Sequence, residues 1–284
     1  MKIAVASGKG GTGKTTLSAN LAAYIAEQRA VVLLDLDVEE PNSGLFIEGR
    51  TLYREPVFRF VPTWKAELCT LCGRCQEVCN FNAVLRMGEK IMLFPQLCHS
   101  CFACSELCPV SALPMVEREA GLLSHRRQED LEFIECRLNV GEEQAVPLIK
   151  ESLRFAEQRV DKEALRIFDS PPGTACPMVA AVKEADLVLL ISEPTPFGLH
   201  DFRLAVETLR QLKLPFAAVI NREGIGDGAL AAYCEAEAIP VAGRIPNSRE
   251  VAELYSAGKL VYKSVPAFKA ALEDIIRYIE GARS

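Results

Sequence analysis

Residues 3–15 have the sequence Ile-Ala-Val-Ala-Ser-Gly-Lys-Gly-Gly-Thr-Gly-Lys-Thr, an apolar run followed by a glycine-rich loop. Four apolar residues in succession are typical of a strand buried inside a parallel sheet. Apolar residues at helical spacing continue from Thr15 to about Glu27, and Val31–Leu34 is a second apolar run. This strand–loop–helix–strand order predicts an α/β domain with a mostly parallel sheet flanked by helices.

The loop matches the pattern G-x-x-x-x-G-K-[ST] and lies between a strand and a helix, as a phosphate-binding loop does. Glycines allow backbone N–H groups to face phosphate oxygens, and the helix N-terminus adds positive potential. We expect Lys14 to contact the β- and γ-phosphates of ATP and the Thr15 hydroxyl to bind Mg²⁺. The other predicted nucleotide contacts in the loop are Gly8, Gly10, Gly11, Thr12, Gly13 and Thr16. The alternative is a glycine turn that merely enters a helix.

Acidic residues follow two of the apolar runs. Asp37 lies just beyond the second strand, where a carboxylate can orient or deprotonate the water that attacks the γ-phosphate. Asp169 ends the apolar run Ala164–Phe168 and is expected to hold the Mg²⁺ shell. Asp35 lies on the same face of its strand as Asp37. A helix or turn cap remains the alternative role for each aspartate.

Eight of the eleven cysteines fall within residues 69–108, in two C-x2-C-x2-C-x3-C runs offset by 29 residues. Bacterial two-cluster ferredoxins have this spacing, and the fourth cysteine of each run ligates the other cluster. The predicted ligands are therefore Cys69, Cys72, Cys75 and Cys108 for one [4Fe–4S] cluster, and Cys98, Cys101, Cys104 and Cys79 for the second. Zinc is the alternative, although structural zinc sites usually pair shorter two-cysteine motifs.

The cysteine runs divide the chain. We predict an inserted α+β ferredoxin-like domain with two clusters at residues 61–115, and a discontinuous P-loop ATPase domain at 1–60 and 116–284. Regular alternation of strands and helices is expected again after Val116. Near the C-terminus, residues 264–284 place apolar side chains on one helical face, which predicts a helix docked on its own sheet.

Lys9 lies inside the glycine-rich loop, and the segment that follows Asp169 is Ser-Pro-Pro-Gly173. With these features the chain resembles the MinD/ParA/Mrp family of P-loop ATPases, which have a deviant Walker A loop and are related to the nitrogenase iron protein. The resemblance covers residues 1–60 and 116–284. It implies an ATP-dependent sandwich homodimer in which Lys9 reaches the partner subunit's nucleotide, a solvated loop lysine being the alternative. It also implies adenine contacts, at Asn221, Arg222, Ile245 and Pro246.

Three cysteines lie outside the two runs. Cys136 and Cys234 are interpreted as small buried apolar residues. Cys176 lies seven residues after Asp169, and in the nitrogenase iron protein a cysteine at that offset helps to ligate a cluster between two subunits. Because Gly173 stands where that protein has an acidic residue, a redox role for Cys176 competes with that of a simple loop thiol.

Composition indicates which classes of partner and which compartment to expect. The 284 residues are 49% hydrophobic and carry a net charge of −6, which disfavours nucleic acid or an anionic membrane as a partner. Reduced, clustered thiols and the absence of a signal-peptide pattern lead us to expect a cytoplasmic protein.

Three functions agree with the sequence. The first is a Mg²⁺-dependent ATPase that couples its nucleotide state to electron transfer or metal-centre handling with a partner metalloprotein. The second is an iron–sulfur carrier or assembly ATPase similar to Mrp proteins, although no C-x-x-C follows Cys176. The third is a positioning or scaffolding ATPase similar to ParA and MinD, with structural clusters.

Overall fold

The computed structural model describes residues 1–282, and within them the chain forms eleven strands and nine α-helices. The strands are β1 (Lys2–Ala6), β2 (Val31–Asp35), β3 (Arg50–Pro62), β4 (Val84–Met87), β5 (Lys90–Leu93), β6 (Met115–Gln128), β7 (Leu131–Leu138), β8 (Leu165–Asp169), β9 (Leu187–Ser192), β10 (Phe216–Glu223) and β11 (Val241–Pro246). The helices are α1 (Lys14–Ala26), α2 (Arg74–Glu77), α3 (Ala103–Glu106), α4 (Ala145–Arg159), α5 (Cys176–Val182), α6 (Pro196–Gln211), α7 (Ala229–Ala236), α8 (Arg249–Ser256) and α9 (Pro266–Gly281).

Nine of these strands form one sheet in the order β11-β10-β9-β1-β8-β2-β7-β6-β3. Six of its eight neighbouring strand pairs are parallel, and only β6 with β7 and β3 with β6 are antiparallel. The predicted α/β fold with a mostly parallel sheet is therefore present. Strand β8 lies between β1 and β2, which brings the carboxyl ends of all three to the same edge.

Helices cover both faces of the sheet. Helices α4, α5, α6 and α7 contribute buried residues to the apolar cluster on one face, and α1 and α9 contribute to the cluster on the other. The central strands β1, β2, β8 and β9 are almost entirely buried because they are enclosed on both faces. This double burial accounts for the continuous apolar runs in the sequence.

The expectation that strands and helices alternate again directly after Val116 is wrong. Instead β6 and β7 form an antiparallel hairpin that joins the edge of the parallel sheet beside β2. Strand β3 pairs with β6 over almost its whole length, from Arg50 opposite Arg127 to Pro62 opposite Met115. Long antiparallel strands with one exposed face carry mixed polar and apolar residues, so they lack the apolar runs by which the buried strands were identified.

The cysteine-rich segment connects the ends of β3 and β6. Backbone hydrogen bonds extend the pairing beyond the strands, since Thr63 N donates to Pro114 O and Lys65 N to Ala112 O. Between them, β4 and β5 form a separate two-stranded sheet, and α2 and α3 are single helical turns. This segment has its own small buried clusters, which include Cys75, Cys98 and Cys104.

Helix α9 packs its apolar face against the sheet, as its residue pattern predicts. Phe268, Leu272 and Ile275 are each no more than 1% exposed, and they contact the same apolar cluster as β1 and β10. The predicted helix extended through residues 283–284, which lie outside the described residues. No helix within residues 1–282 has both the length and the apolar character needed to cross a bilayer.

Replacing Leu272 tests this docking. We expect Leu272→Ala to lower the free energy of unfolding by about 2–5 kcal/mol, because it deletes a fully buried side chain from a packed interface. The matched control is Glu280→Ala on the exposed face of α9, which should change stability by less than about 0.5 kcal/mol. Urea denaturation followed by circular dichroism measures both. Equal stabilities for the two variants would show that α9 is not docked on the sheet.

Candidate functional site

The glycine-rich loop leaves the carboxyl end of β1 and enters α1 through residues of unusual conformation. Gly11 and Gly13 have φ of +75° and +97°, a region that favours glycine, and Gly13 is the N-cap of α1. No side chain caps this helix, and its first turn has no acidic residue. A Cβ atom added to Gly10 or Gly11 would meet nothing within 4 Å. The loop backbone and the free helix N-terminus therefore face open space, as a phosphate site requires.

The other side of the loop is closely packed. A Cβ atom on Gly8 would lie 2.1 Å from Asp201 O, and one on Gly13 would lie 2.4 Å from Asn221 Nδ2. Asn221 Nδ2 also donates a 2.7 Å hydrogen bond to Thr12 O. Asn221, which the family resemblance places at the adenine, thus also supports the loop from β10. Its adenine contact, and those of Arg222, Ile245 and Pro246, remain predictions.

Asp169 and Asp35 lie side by side at the carboxyl edge of the sheet, because β2 and β8 pair in the register Asp35 opposite Asp169. Both are essentially inaccessible to solvent. Asp35 accepts hydrogen bonds from Asp37 N at 3.1 Å and from Ser43 N at 2.9 Å, so it shapes the segment after β2. These contacts give Asp35 the role of a turn cap, which is the alternative considered above.

Asp169 has a different environment. The Ser43 hydroxyl donates to its Oδ2 at 3.0 Å, while the buried Oδ1 has no hydrogen-bond partner among residues 1–282. An unpartnered buried carboxylate oxygen is costly unless a ligand or ordered water completes it. The Oδ1 atom therefore fits the role of holding a hydrated Mg²⁺ ion beside Thr15.

Burial sets the pKa values at this edge. Desolvation lowers the pKa of Lys14, against the attraction of Asp169, Asp37 and Asp35. Desolvation also raises the pKa of Asp169, opposed by the nearby Thr15 hydroxyl and by Lys14, and that of Asp35, where the charge of Asp169 adds to the effect. Three carboxyls around one ammonium leave an excess of acidic groups, so a divalent cation would relieve their mutual repulsion.

Asp37 is the least buried carboxyl of the three. Desolvation and the charge of Asp169 raise its pKa to about 6, while Lys14 opposes the shift. A carboxylate with a pKa close to neutrality is better suited to accept a proton than one with an ordinary pKa. Its place beside Lys14 and Asp169 agrees with the predicted role in orienting or deprotonating water.

Lys9 does not extend freely into solvent. Its Nζ lies 2.5 Å from Glu193 Oε1, and Arg222 Nη1 lies 2.9 Å from Glu193 Oε2. The Glu193 side chain is 11% exposed and follows the end of β9. Sequence patterns did not identify Glu193 or Ser43, because each acts through a tertiary contact and neither belongs to a motif.

The eight cysteines of the two runs surround two cavities in the small unit between β3 and β6. The cavity lined by Cys69, Cys72, Cys75 and Cys108 contains about 310 Å³ of space, including some open solvent. The cavity lined by Cys98, Cys101, Cys104 and Cys79 contains about 320 Å³. Each fourth cysteine thus lies with the three cysteines of the other run. This is the crossed grouping that the spacing predicts.

The cavity walls combine apolar groups with amide donors. Ala112 N donates to Cys108 Sγ at 3.2 Å, and Ser100 N donates to Cys98 Sγ at 3.4 Å. Burial raises the pKa of Cys98 and raises that of Cys104 to about 11. Amide donors stabilise thiolates once a metal has displaced the protons. Within residues 1–282, no three His, Cys, Asp or Glu side chains converge on a point that would hold a single ion.

The remaining cysteines are separate from these cavities. Cys136 and Cys234 are buried, as predicted, and burial raises their pKa values to about 12 and 11. Cys176 is exposed at the first residue of α5. The structure places it on the segment that follows Asp169 and Gly173, and its redox role remains a prediction.

Residues 3–261 match the family described as the CobQ/CobB/MinD/ParA nucleotide binding domain. An uncharacterised protein of Methanocaldococcus jannaschii is 31% identical over 285 residues, covering 99% of this chain and 95% of that protein. An iron–sulfur cluster carrier protein of Pyrococcus abyssi is 24% identical over 298 residues, covering 96% of this chain and 83% of that protein. The sequence similarity thus extends through the cysteine-rich segment as well as the nucleotide-binding segments.

Solved structures share the fold. The septum site-determining protein MinD of Pyrococcus horikoshii, in complex with Mg-ADP, has a TM-score of 0.60 and 16% identity, covering 98% of this chain and 95% of that chain. MinD of Aquifex aeolicus in its complex with MinC has a TM-score of 0.57 and 16% identity, covering 99% and 95%. At this identity the likeness shows the α/β P-loop fold.

Because the pKa of Asp37 is raised, we expect Asp37→Asn to increase the stability of the nucleotide-free protein in a pH-dependent way. Because the folded-state pKa lies near 6 and the unfolded value near 3.8, ionised Asp37 destabilises the native state above pH 6. The full shift corresponds to about 3 kcal/mol, and solvent screening of the partly exposed carboxyl reduces the expected gain at pH 8 to about 1–2 kcal/mol. The gain should disappear as the pH falls from 6 towards 4.

Urea denaturation at pH 8 and at pH 4, without nucleotide or Mg²⁺, measures this difference. The matched control is Glu48→Gln, an exposed glutamate that does not contribute to the Asp37 shift, which should change stability little at either pH. An Asp37→Asn variant no more stable than the native protein at pH 8, or equally stabilised at both pH values, would contradict the electrostatic account.

Proposed function

Because this chain belongs to the CobQ/CobB/MinD/ParA nucleotide-binding family, we propose that it is a Mg²⁺-dependent ATPase whose nucleotide state is coupled to two [4Fe–4S] clusters. The observation that carries the proposal is the crossed grouping of eight cysteines around two cavities on the same chain as a phosphate-binding loop. The electron-transfer or metal-centre partner would be a second metalloprotein. Clusters of this kind supply one-electron redox chemistry when bound.

In the nucleotide half, we assign the roles from the loop motif, with support from the burial of the site. Loop amides and the N-terminus of α1 bind phosphate oxygens, and Lys14 neutralises the β- and γ-phosphates. Thr15 and Asp169 would hold Mg²⁺, and the Asp169 Oδ1 atom has no other hydrogen-bond partner within residues 1–282. Asp37 orients water or accepts its proton. Lys14 and Asp169 are both buried in the chain without nucleotide, and buried polar groups directed at a transferring phosphoryl group stabilise it strongly.

The second part of the proposal is an ATP-bound homodimer. The family resemblance assigns Lys9 to the partner subunit's nucleotide, whereas in the single chain Lys9 is paired with Glu193. Lys9 must therefore leave Glu193 when the dimer forms, and Arg222 remains to compensate the carboxylate. A γ-phosphate across the interface carries more negative charge than Glu193 and would compete for the ammonium group.

An iron–sulfur carrier is the second candidate function. It is favoured by the similarity along 96% of the chain to proteins named iron–sulfur cluster carriers. In that case the clusters would be transferred to a recipient protein instead of remaining as an electron relay. A positioning ATPase with structural clusters is the third, and it predicts that nucleotide has no effect on cluster potentials.

The dimer is tested by Lys9→Ala. We expect the variant to bind ATP within about threefold of the native affinity, because Lys14 and the loop amides are unchanged. It should remain monomeric with a non-hydrolysable ATP analogue, under conditions in which the native protein becomes a dimer. Light scattering after size-exclusion chromatography measures the mass. Lys183→Ala, an exposed lysine after α5, is the control. Undiminished dimerisation of Lys9→Ala would exclude the assigned role.

The clusters are tested by iron content and electron paramagnetic resonance (EPR) under anaerobic conditions. The native protein should bind about eight irons in two four-iron clusters. Cys72→Ser and Cys108→Ser should diminish the same EPR component. Cys79→Ser and Cys101→Ser should both diminish the other component. Cys176→Ser is the control and should retain about eight irons if Cys176 is only a loop thiol. Zinc in place of iron, or Cys108 grouped with Cys101, would contradict the proposal.

Coupling is tested in the same samples by redox titration with and without Mg-ATP. A shift in midpoint potential on adding nucleotide supports coupling, whereas identical potentials favour structural clusters. Loss of clusters to an added apo-acceptor protein would instead favour the carrier function.

A further inference from the structure

A buried ion pair lies where the cysteine-rich segment meets the rest of the molecule. Arg59 on β3 and Glu142, between β7 and α4, have Nη2 and Oε2 atoms 2.6 Å apart, and their side chains are 1% and 3% exposed. Arg59 Nε also donates to Glu142 Oε2 at 2.8 Å. Arg118 Nε lies 2.9 Å from the other oxygen of Glu142, but its side chain is 38% exposed. Buried pairs of this kind are costly to desolvate and give little net stability.

At one end, the ion pair fixes the segment that begins the second cysteine run, residues 95–101, which we name the Cys98 loop. Arg59 Nη2 donates to Pro95 O at 2.8 Å, and Nη1 donates to Cys98 O at 3.2 Å. The neighbouring residue Phe60 accepts a 2.6 Å hydrogen bond from the Ser100 hydroxyl through its backbone oxygen. The Cys98 loop is therefore attached to β3 at three points.

At the other end, the ion pair adjoins the segment after Asp37. Glu142 N donates to Asn139 O at 3.0 Å, and Leu138 N donates to Val38 O at 2.9 Å. Arg137 Nη2 donates to Pro41 O at 3.1 Å. Val38 follows Asp37 directly, so a short series of hydrogen bonds joins the nucleotide site, through the end of β7 and Glu142, to the Cys98 loop.

The first cysteine run has different surroundings. Within residues 1–282, the side-chain hydrogen bonds of this run are all made to other residues of the small unit. For example, Arg86 Nη1 donates to Leu71 O at 2.5 Å. The buried Arg59 guanidinium donates to the backbone oxygen of Cys98 in the second set, and its charge opposes the rise that burial causes in the pKa of Cys98. The two cysteine sets are thus inequivalent in both charge and connection to the nucleotide site.

We propose that Arg59 and Glu142 are positioning residues through which the nucleotide site acts on the second cysteine set, Cys98, Cys101, Cys104 and Cys79, and not on the first. This inference rests on the proposed function. A displacement of the segment after Asp37 on binding Mg-ATP would move Glu142 and, with it, the Arg59 charge and the Cys98 carbonyl. A buried charge acts strongly on its surroundings because the local dielectric constant is low. The reduction potential of one cluster would then depend on nucleotide, and that of the other would not.

The test is an EPR-monitored redox titration of the anaerobically purified protein, with and without a non-hydrolysable Mg-ATP analogue. In the native protein, one of the two midpoint potentials should shift, and it should be the one lost in Cys101→Ser. The double variant R59M/E142Q removes both charges together, so no unpaired charge remains buried. It should keep both clusters but lose the nucleotide-dependent shift.

Arg118→Gln is the matched control, since Arg118 contacts the same carboxylate but not the Cys98 loop. It should retain the shift. Arg59→Lys keeps the charge but lacks the guanidinium fork that reaches two carbonyls and the carboxylate, so it should retain at most part of the shift. Hydrogen exchange gives a second measurement: nucleotide should change amide exchange in residues 95–101 of the native protein, but not in R59M/E142Q.

The outcomes separate the two proposals. If neither potential of the native protein responds to nucleotide, the coupling proposed for the protein as a whole fails, and this inference with it. If the native protein responds but both potentials shift alike, or if R59M/E142Q keeps the full shift with both clusters bound, the inference is overturned while the proposed function stands.

Discussion

The nucleotide site depends on the parallel register of β2 and β8, which places Asp35 beside Asp169. Lys14, the first residue of α1, lies close enough to interact with both carboxyls. Strands β1, β2 and β8 end at one edge, and their side chains there are shielded by helices on both faces of the sheet. The burial that raises the pKa values of the carboxyls and lowers that of Lys14 is therefore a direct consequence of the fold. A bound Mg²⁺ ion would lessen the mutual repulsion of these carboxyls.

The antiparallel ribbon of β3 and β6 determines where the cysteine-rich unit lies. A crossover connection after β2 would have returned the chain to the parallel sheet, but the chain instead runs out along β3, forms the cysteine-rich unit, and returns along β6. The unit is consequently held at the sheet by two strands that pair over almost their whole length, with register shifts at two points. A ladder of this kind restricts relative motion far more than a flexible linker does.

The phosphate-binding loop and the cysteine-lined cavities each present a small set of chemical groups. Phosphate binding uses backbone amides and an uncapped helix end, and thiol groups line the other cavities with amide donors directed at two sulfur atoms. Similarity to the named iron–sulfur carriers extends along 96% of this chain, whereas the MinD structures share its fold at 16% identity. The nucleotide-binding fold is thus common to this chain and the MinD structures, and the proposed iron–sulfur chemistry rests on the cysteines of this chain.

Local sequence determined a large part of this protein. The phosphate-binding loop was predictable because its glycines, Lys14 and Thr15 are adjacent in the chain, and the buried strands were predictable because a doubly covered strand must be apolar throughout. The crossed grouping of cysteines was predictable from spacing alone. Tertiary structure decided what depends on contacts between distant residues: the antiparallel β3–β6–β7 addition, Glu193 as the partner of Lys9, Ser43 on Asp169, and Arg59 with Glu142. Apart from the β6–β7 hairpin, each of these contacts joins segments far apart in sequence, so it forms only when the chain folds.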